Sequence, residues 1–372
     1  MGSLPSPPRP TSPPSPENTL SNFRVYAAFC PREPADNANV YNWIECYDPS
    51  INTWSHVTSI PVIIENHILK GFAMVSLGDS IYIIGGQLCH KDWIHVSDES
   101  AELVDVGIEV VPTVLRYNVQ SKQWSNCATL NVARYDFACA VCENKIHVAG
   151  GKSILDSARG ISSAEVYDPN YDRWSPLPNL SILRYKCIGV TWHGKFHVIG
   201  GFVGRDDSDG TLPSLVDRSS AEVFDTQAGK WDLMARMWQL DVPPNQIVAV
   251  NERLLSSGDC LTTWKGHIEA YDGKVNIWNE VEGSHQPSLF TLEANNGNWP
   301  LNQRLYLTMA PIGIHLYFLA AYRTATDSTK TISMVHIFDT SATHDAWRSF
   351  EPMEEEGEKE LCSHCCVVQL SS

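Results

Sequence analysis

The sequence predicts an all-β fold of repeated four-stranded antiparallel blades closed into a ring of six, and three observations predict it. First, an aromatic residue followed by Asp or Asn, with Trp six positions after the polar residue, recurs five times. The copies are Tyr47-Asp48 to Trp54, Tyr117-Asn118 to Trp124, Tyr167-Asp168 to Trp174, Phe224-Asp225 to Trp231 and Tyr271-Asp272 to Trp278; a sixth, Phe338-Asp339 to Trp347, is two residues longer. Second, three units carry an apolar run closed by two glycines, at Ile81 to Gly86, Ile146 to Gly151 and Phe196 to Gly201. Third, an orphan apolar run from Cys365 to Leu370 follows the last Trp, while the first unit has only Phe23 to Phe29 ahead of its aromatic-Asp pair.

Each unit reads as four strands in order. A first apolar run and a tight turn, as in FACAV then CENK or IGVTW then HGK, lead into the second strand. The Gly-Gly that closes this second strand lets another backbone come close or the chain turn sharply. The third strand alternates, as in AEVYD or AEVFD, and ends on the aromatic-Asp pair, whose short acidic side chain can bond the backbone two residues on. The fourth strand holds the Trp. In the remaining units Ala27-Ala28, Ser257-Gly258 and Ala320-Ala321 occupy the glycine slot. The C-terminal run is expected to complete the first blade, joining the two ends of the array and removing an exposed sheet edge.

Successive Trp anchors lie 70, 50, 57, 47 and 69 residues apart, bracketing the roughly 50-residue period of kelch repeats. With its Gly-Gly, aromatic-Asp and Trp marks in that order over about residues 23 to 370, the chain resembles the kelch family. The resemblance implies a six-bladed kelch β-propeller whose first blade is closed by the C-terminal strand. In its RYDFA and YDPNYDRW segments the chain is similar to plant F-box/kelch-repeat proteins, which recruit a ubiquitin ligase through an N-terminal F-box. Only about 22 residues precede the first strand here, so the expectation is an adaptor or substrate-recognition module without an F-box. The E-x-x-x-D-x-x-x-H iron motif of the nitrile-specifier and thiocyanate-forming kelch proteins is absent. Galactose oxidase shares the fold level only, and fold does not fix function.

Composition sets further bounds. Residues 23–370 are read as one propeller domain, because repetition carries propellers beyond ordinary domain size, and residues 1–22 as a proline-rich disordered tail. No apolar run reaches the roughly 18 residues of a membrane span, and the tail lacks a signal-peptide pattern, so a cytoplasmic and also nuclear location with reduced cysteines is expected. A formal charge of -16 argues against nucleic acid as partner. Part of that charge lies in Pro352 to Glu360, read as a solvated loop.

Counting back from the glycine slot, Arg134, Arg184 and Arg304 fall 16 positions earlier and Lys70 falls 15 earlier. Such a register places four cations near the channel mouth, as a pocket for an acidic protein segment or an anionic small molecule, with Tyr135 and Tyr185 adding contact area. The competing reading has the arginines bracing neighbouring blades. Glu45, Glu165, Glu222 and Glu269 recur three residues before the Asp and fit such bracing better than a unique active site. Cys362, Cys365 and Cys366 with His364 read as structural, and no catalytic, cofactor or metal motif is found. The departures from the repeat, Gln87 to Pro112, Val203 to Arg218 and Ser284 to Gln303, are the expected seats of specificity. The sequence thus favours a protein-interaction module, with a small-molecule-binding enzyme or product-directing propeller as the alternative.

Overall fold

A computed structural model describes residues 22–33, 39–97, 100–204, 219–238, 242–257, 267–285, 303–323, 330–342 and 344–370. The expected disordered tail and most of the segments Val203 to Arg218 and Ser284 to Gln303 lie outside these residues. Within them the chain is all β, with no helix, and every strand pairing is antiparallel. Four sheets have four strands each, for example Ala138–Cys142, Lys145–Ala149, Ala164–Asp168 and Arg173–Leu177 in sequence order. Two further sheets have five strands, one holding Phe23–Pro31 and the other Gln303–Ile312.

The recurring spacing has a direct cause. Each aromatic sits opposite its Trp across an antiparallel hairpin, as Tyr167↔Trp174, Phe224↔Trp231 and Tyr271↔Trp278. The rings meet at centroid distances of 5.2, 5.0 and 5.4 Å respectively, a tilted contact that aromatic quadrupoles favour. Between them Asp168, Asp225 and Asp272 accept a hydrogen bond from the backbone N–H two residues on, at 3.0, 3.0 and 2.9 Å, which shapes the turn as the sequence predicts. Phe338↔Trp347 keeps the same pairing across its two extra residues.

The tryptophans also fasten one sheet to the one before it. Trp174 Nε1 donates to the Ala128 carbonyl at 2.9 Å, Trp231 to Pro178 at 2.7 Å and Trp278 to Met237 at 2.6 Å. Each acceptor lies on the connection leading out of the preceding sheet. The glycine doublets serve the next sheet instead. Gly151 N donates to the Arg184 carbonyl at 2.8 Å, and a Cβ on Gly150 would sit 2.7 Å from that same oxygen. Both glycines have positive φ, 69° and 93°, so these positions combine a backbone that L residues rarely adopt with no room for a side chain.

Apolar clusters lie between consecutive sheets. Tyr82 and Ile84 pack with Ile146 and Tyr167; Val190 and Ile199 with Leu254 and Tyr271; Val248 and Leu255 with Met309 and Phe318. The last sheet also packs on the first, through Ala310 and Tyr317 against Val25 and Tyr47. Cys366–Gln369 pairs antiparallel with Phe23–Pro31, with Val25 opposite Val367, so the C-terminal run occupies the place in the first sheet that the sequence left open.

One expectation needs correction. Pro352 to Glu360 is not a solvated loop: Met353–Glu356 adds to Lys330–Asp339, and Lys359–Leu361 adds to Phe23–Pro31. Its charges face partners across the sheets, with Glu358 on Arg323, Lys359 Nζ 2.7 Å from Glu45, and Glu360 2.6 Å from Lys70 Nζ. The insert Gln87 to Pro112, expected only as a departure from the repeat, is built of strands. Strands Gln87–Ser97 and Ser100–Val110 form a long hairpin arm, joined at its base to Ile68–Lys70.

Candidate functional site

Three of the four expected cations, Lys70, Arg134 and Arg184, share a backbone setting. Gly71, Asp136 and Lys186 share a left-handed conformation, with φ 62°, 53° and 52°. Asp136 N donates to the Gly71 carbonyl at 2.8 Å, and Lys186 N to the Asp136 carbonyl at 2.7 Å. Successive sheets are therefore entered through equivalent, directly bonded turns, and Lys70, Arg134 and Arg184 sit just before them.

Their side chains do not form the expected exposed ring. Arg134 and Arg184 are both 0% exposed. Arg134 donates from Nη1 to the carbonyls of Gly150 at 2.9 Å and Ser163 at 2.8 Å, and from Nη2 to Glu165 Oε1 at 2.8 Å. Arg184 repeats this with Gly200 at 3.0 Å, Ser220 at 3.1 Å and Glu222 at 3.3 Å. The carboxylates reach on to the connection before the sheet: Glu165 accepts from Asn131 N at 2.8 Å and Val132 N at 3.1 Å, and Glu222 from Ser181 N at 2.6 Å. Burial pushes the Arg134 guanidinium below its usual value, against the pull of Glu165. A planar fork with five donors suits this role, since it satisfies carbonyls at the end of one strand and a carboxylate on the next.

Lys70 is also turned inward. Its Nζ lies 2.6 Å from Glu360 and 3.2 Å from Asp105, while Lys91 Nζ lies 2.9 Å from Asp105. These charges bind the base of the arm to the closing strands. Tyr135 is buried, with its hydroxyl donating to the Leu155 carbonyl at 3.0 Å. Tyr185 stays partly exposed, packed on Phe202 at 5.2 Å with Lys152 Nζ 4.2 Å above its ring. Arg304 is partly exposed at the start of Gln303–Ile312, opposite Tyr322.

The fault in the expectation is one of direction: a register locates a residue along the chain, but the accepting carbonyls of Gly150 and Gly200 decide where the guanidinium goes. Asp136 and Lys186 were missed. Burial pushes the Asp136 carboxyl up, opposed by Lys186 and Lys152. The available signal was positional, since both directly follow the Arg-Tyr pairs singled out.

Elsewhere, a groove of about 610 Å³ opens beside hairpin turns of two adjacent sheets, lined by Trp192, His193, Glu252, Tyr271 and Lys274. Trp192 donates its indole N–H to the Glu252 carbonyl at 2.6 Å and stacks on His193 at 4.2 Å. Cys362, Cys365 and Cys366 lie at the closing strand as free thiols, Cys365 Sγ donating to the Met309 carbonyl at 3.2 Å.

Residues 133–181 match the Kelch motif. The chain is similar to an F-box/kelch-repeat protein of Arabidopsis thaliana, 32% identical over 131 residues that cover 35% of this chain and 32% of that protein. A second Arabidopsis F-box/kelch-repeat protein is 46% identical over 56 residues, covering 15% of this chain and 14% of the relative. Kelch-like protein 36 of Mus musculus is 34% identical over 129 residues, covering 34% of this chain and 18% of the relative. The matched part thus spans about a third or less of each of these relatives.

Proposed function

We propose that this chain, which carries a Kelch motif and is homologous to plant F-box/kelch-repeat proteins, is a six-bladed β-propeller working as a protein-interaction module. The ring is supported by a cyclic succession of neighbours. Ala73–Leu77 lies against Ala138–Cys142, which lies against Ile188–Trp192, then Ile247–Val250, then Gln303–Ile312, then Cys366–Gln369, which returns to Ala73–Leu77. Side chains stitch the same neighbours: Ser76 Oγ donates to the Val367 carbonyl and Thr191 Oγ1 to the Val141 carbonyl, both at 2.7 Å.

The observation that carries the functional reading is what the relatives share. The names couple this repeat to an F-box in a plant protein and to a BTB domain in a human one. The common part is the repeat array, a rigid frame whose irregular segments are free to differ. A link to ubiquitin-dependent regulation follows from the F-box relatives as part of this proposal. The partner was expected to be acidic; because Lys70, Arg134 and Arg184 are engaged within the fold, the polar groups proposed to meet it are instead the exposed Lys186 and the partly exposed Tyr185.

Affinity capture from cell extract with the whole chain, followed by mass spectrometry, tests the module. Reproducible partners lost in Tyr185→Ala/Lys186→Glu support a mouth-facing contact; identical partners in the variant remove that face, and no partner for wild type overturns the module. The groove at Trp192, His193 and Tyr271 favours a second reading, a small-molecule site. Thermal-shift screening with Trp192→Ala as control checks it, and no ligand-dependent shift removes it.

A further inference from the structure

The hairpin arm Gln87–Val110 is absent from the repeat pattern, and its geometry is that of an open edge. Among the described residues, Ser100–Val110 is the last strand of its sheet, pairing only with Gln87–Ser97. A lone edge strand presents a row of outward N–H and C=O groups, a template for another extended chain. Val106 and Ile108 on this strand are 36% and 44% exposed. Val106 is opposite His90, whose ring lies 6.4 Å from that of His67. His67 in turn borders Val62 and Ile63, both exposed, so the apolar surface runs off the arm onto the adjoining connection.

The charge of this edge is one-sided. The strand Ser100–Val110 holds three carboxylate residues, Glu102, Asp105 and Glu109, and no lysine or arginine. The neighbouring Lys70 and Lys91 are both held by Asp105. A free acidic edge studded with β-branched residues disfavours pairing with a second copy of itself, because like charges would face each other across the new ladder. It complements an extended segment that alternates apolar and basic residues.

We infer that the Ser100–Val110 edge is a docking strand that takes an extended basic-apolar segment of a protein partner by strand addition. This rests on the interaction-module reading and names the surface and partner chemistry for it. Main-chain hydrogen bonds along the edge supply affinity, the exposed Val106 and Ile108, the latter at a bulge in the strand, give apolar contacts, and the exposed Glu109 selects a cationic side chain. The base of the arm is fixed for this role by Lys70 and Lys91 on Asp105 and Glu360.

The test uses the whole chain and a fluorescent peptide of alternating lysine and valine, with a glutamate-valine peptide as control. Binding of the lysine peptide at least roughly tenfold tighter than the control, together with slowed hydrogen exchange confined to residues 100–110, is expected. Ile108→Lys/Glu109→Lys replaces two exposed side chains, so its melting temperature should match wild type while affinity falls by roughly tenfold or more. Equal binding of both peptides, protection elsewhere, or unchanged affinity in the variant overturns the proposal. Extract partners captured equally by wild type and variant, with no peptide protection of the arm, overturn the docking edge while leaving the module reading intact.

Discussion

Arg134 and Glu165 form an ion pair of 2.8 Å in which neither side chain is more than 2% exposed. Removing one partner of such a pair leaves the other charge buried and uncompensated, at a cost of about 3–5 kcal/mol. Arg134→Met should therefore lower unfolding free energy by about that amount in urea titration. Glu165→Gln keeps one acceptor oxygen but turns an NH2 toward the N–H donors that the second oxygen held, and it leaves Arg134 buried without its counter-charge, so it should cost a comparable amount. An Arg134→Met protein as stable as wild type would mean the guanidinium is solvated and turned outward.

Gly150→Ala places a Cβ where 2.7 Å separates it from the Arg184 carbonyl, at φ 69°. Strain at a left-handed position costs about 1–3 kcal/mol before the collision is counted. The loss should exceed that of Gly194→Ala, a hairpin-turn glycine of similar φ with open space around it. Thermal melting of the two variants side by side checks the order; equal losses would show that conformation alone matters.

Truncation after Glu360 removes Cys366–Gln369 and exposes the inner edge of Phe23–Pro31. Calorimetry should then lose its single cooperative transition. An unaltered melting profile would show that the first sheet does not need this strand, and the proposed ring would fail with it.

Stability should fall in mild acid. His147, His197 and His336 are 3%, 3% and 0% exposed, and burial pulls each imidazole from its ordinary value of 6.5 down to about 4. Protonation thus favours the unfolded chain. The contribution of each is fully present above about pH 6.5 and is lost as pH falls toward about 4, at up to about 1.4 kcal/mol per pH unit per histidine. Urea unfolding from pH 7 to pH 4 measures the slope, and His147→Gln should flatten it; an unchanged slope would place the titration elsewhere.

Much of the repeat was legible because it is encoded locally. The aromatic, the Asp and the Trp belong to one hairpin, so a fixed spacing reports a fixed cross-strand pair, as Tyr167↔Trp174 shows. The pairing of Cys366–Gln369 with Phe23–Pro31 was legible too, since an unpartnered apolar run at one end matched a gap at the other. The positions of Arg134 and Arg184 were also found and two roles weighed for them, a pocket and a brace; the sequence could not choose, because nothing near Arg134 announces the carbonyls of Gly150 and Ser163.

By itself, the sequence determined that this is an all-β repeat chain, and which residues anchor each hairpin. Tertiary structure decided whether a charged side chain faces solvent or the neighbouring strand, turned the acidic Pro352 to Glu360 stretch into paired strands, and shaped the insert after Gly86 into a long hairpin arm. The physical reason is range. Hairpins are set by residues a few positions apart, whereas a guanidinium, a carboxylate or a sheet edge is matched by groups brought from far along the chain, such as Lys359 to Glu45.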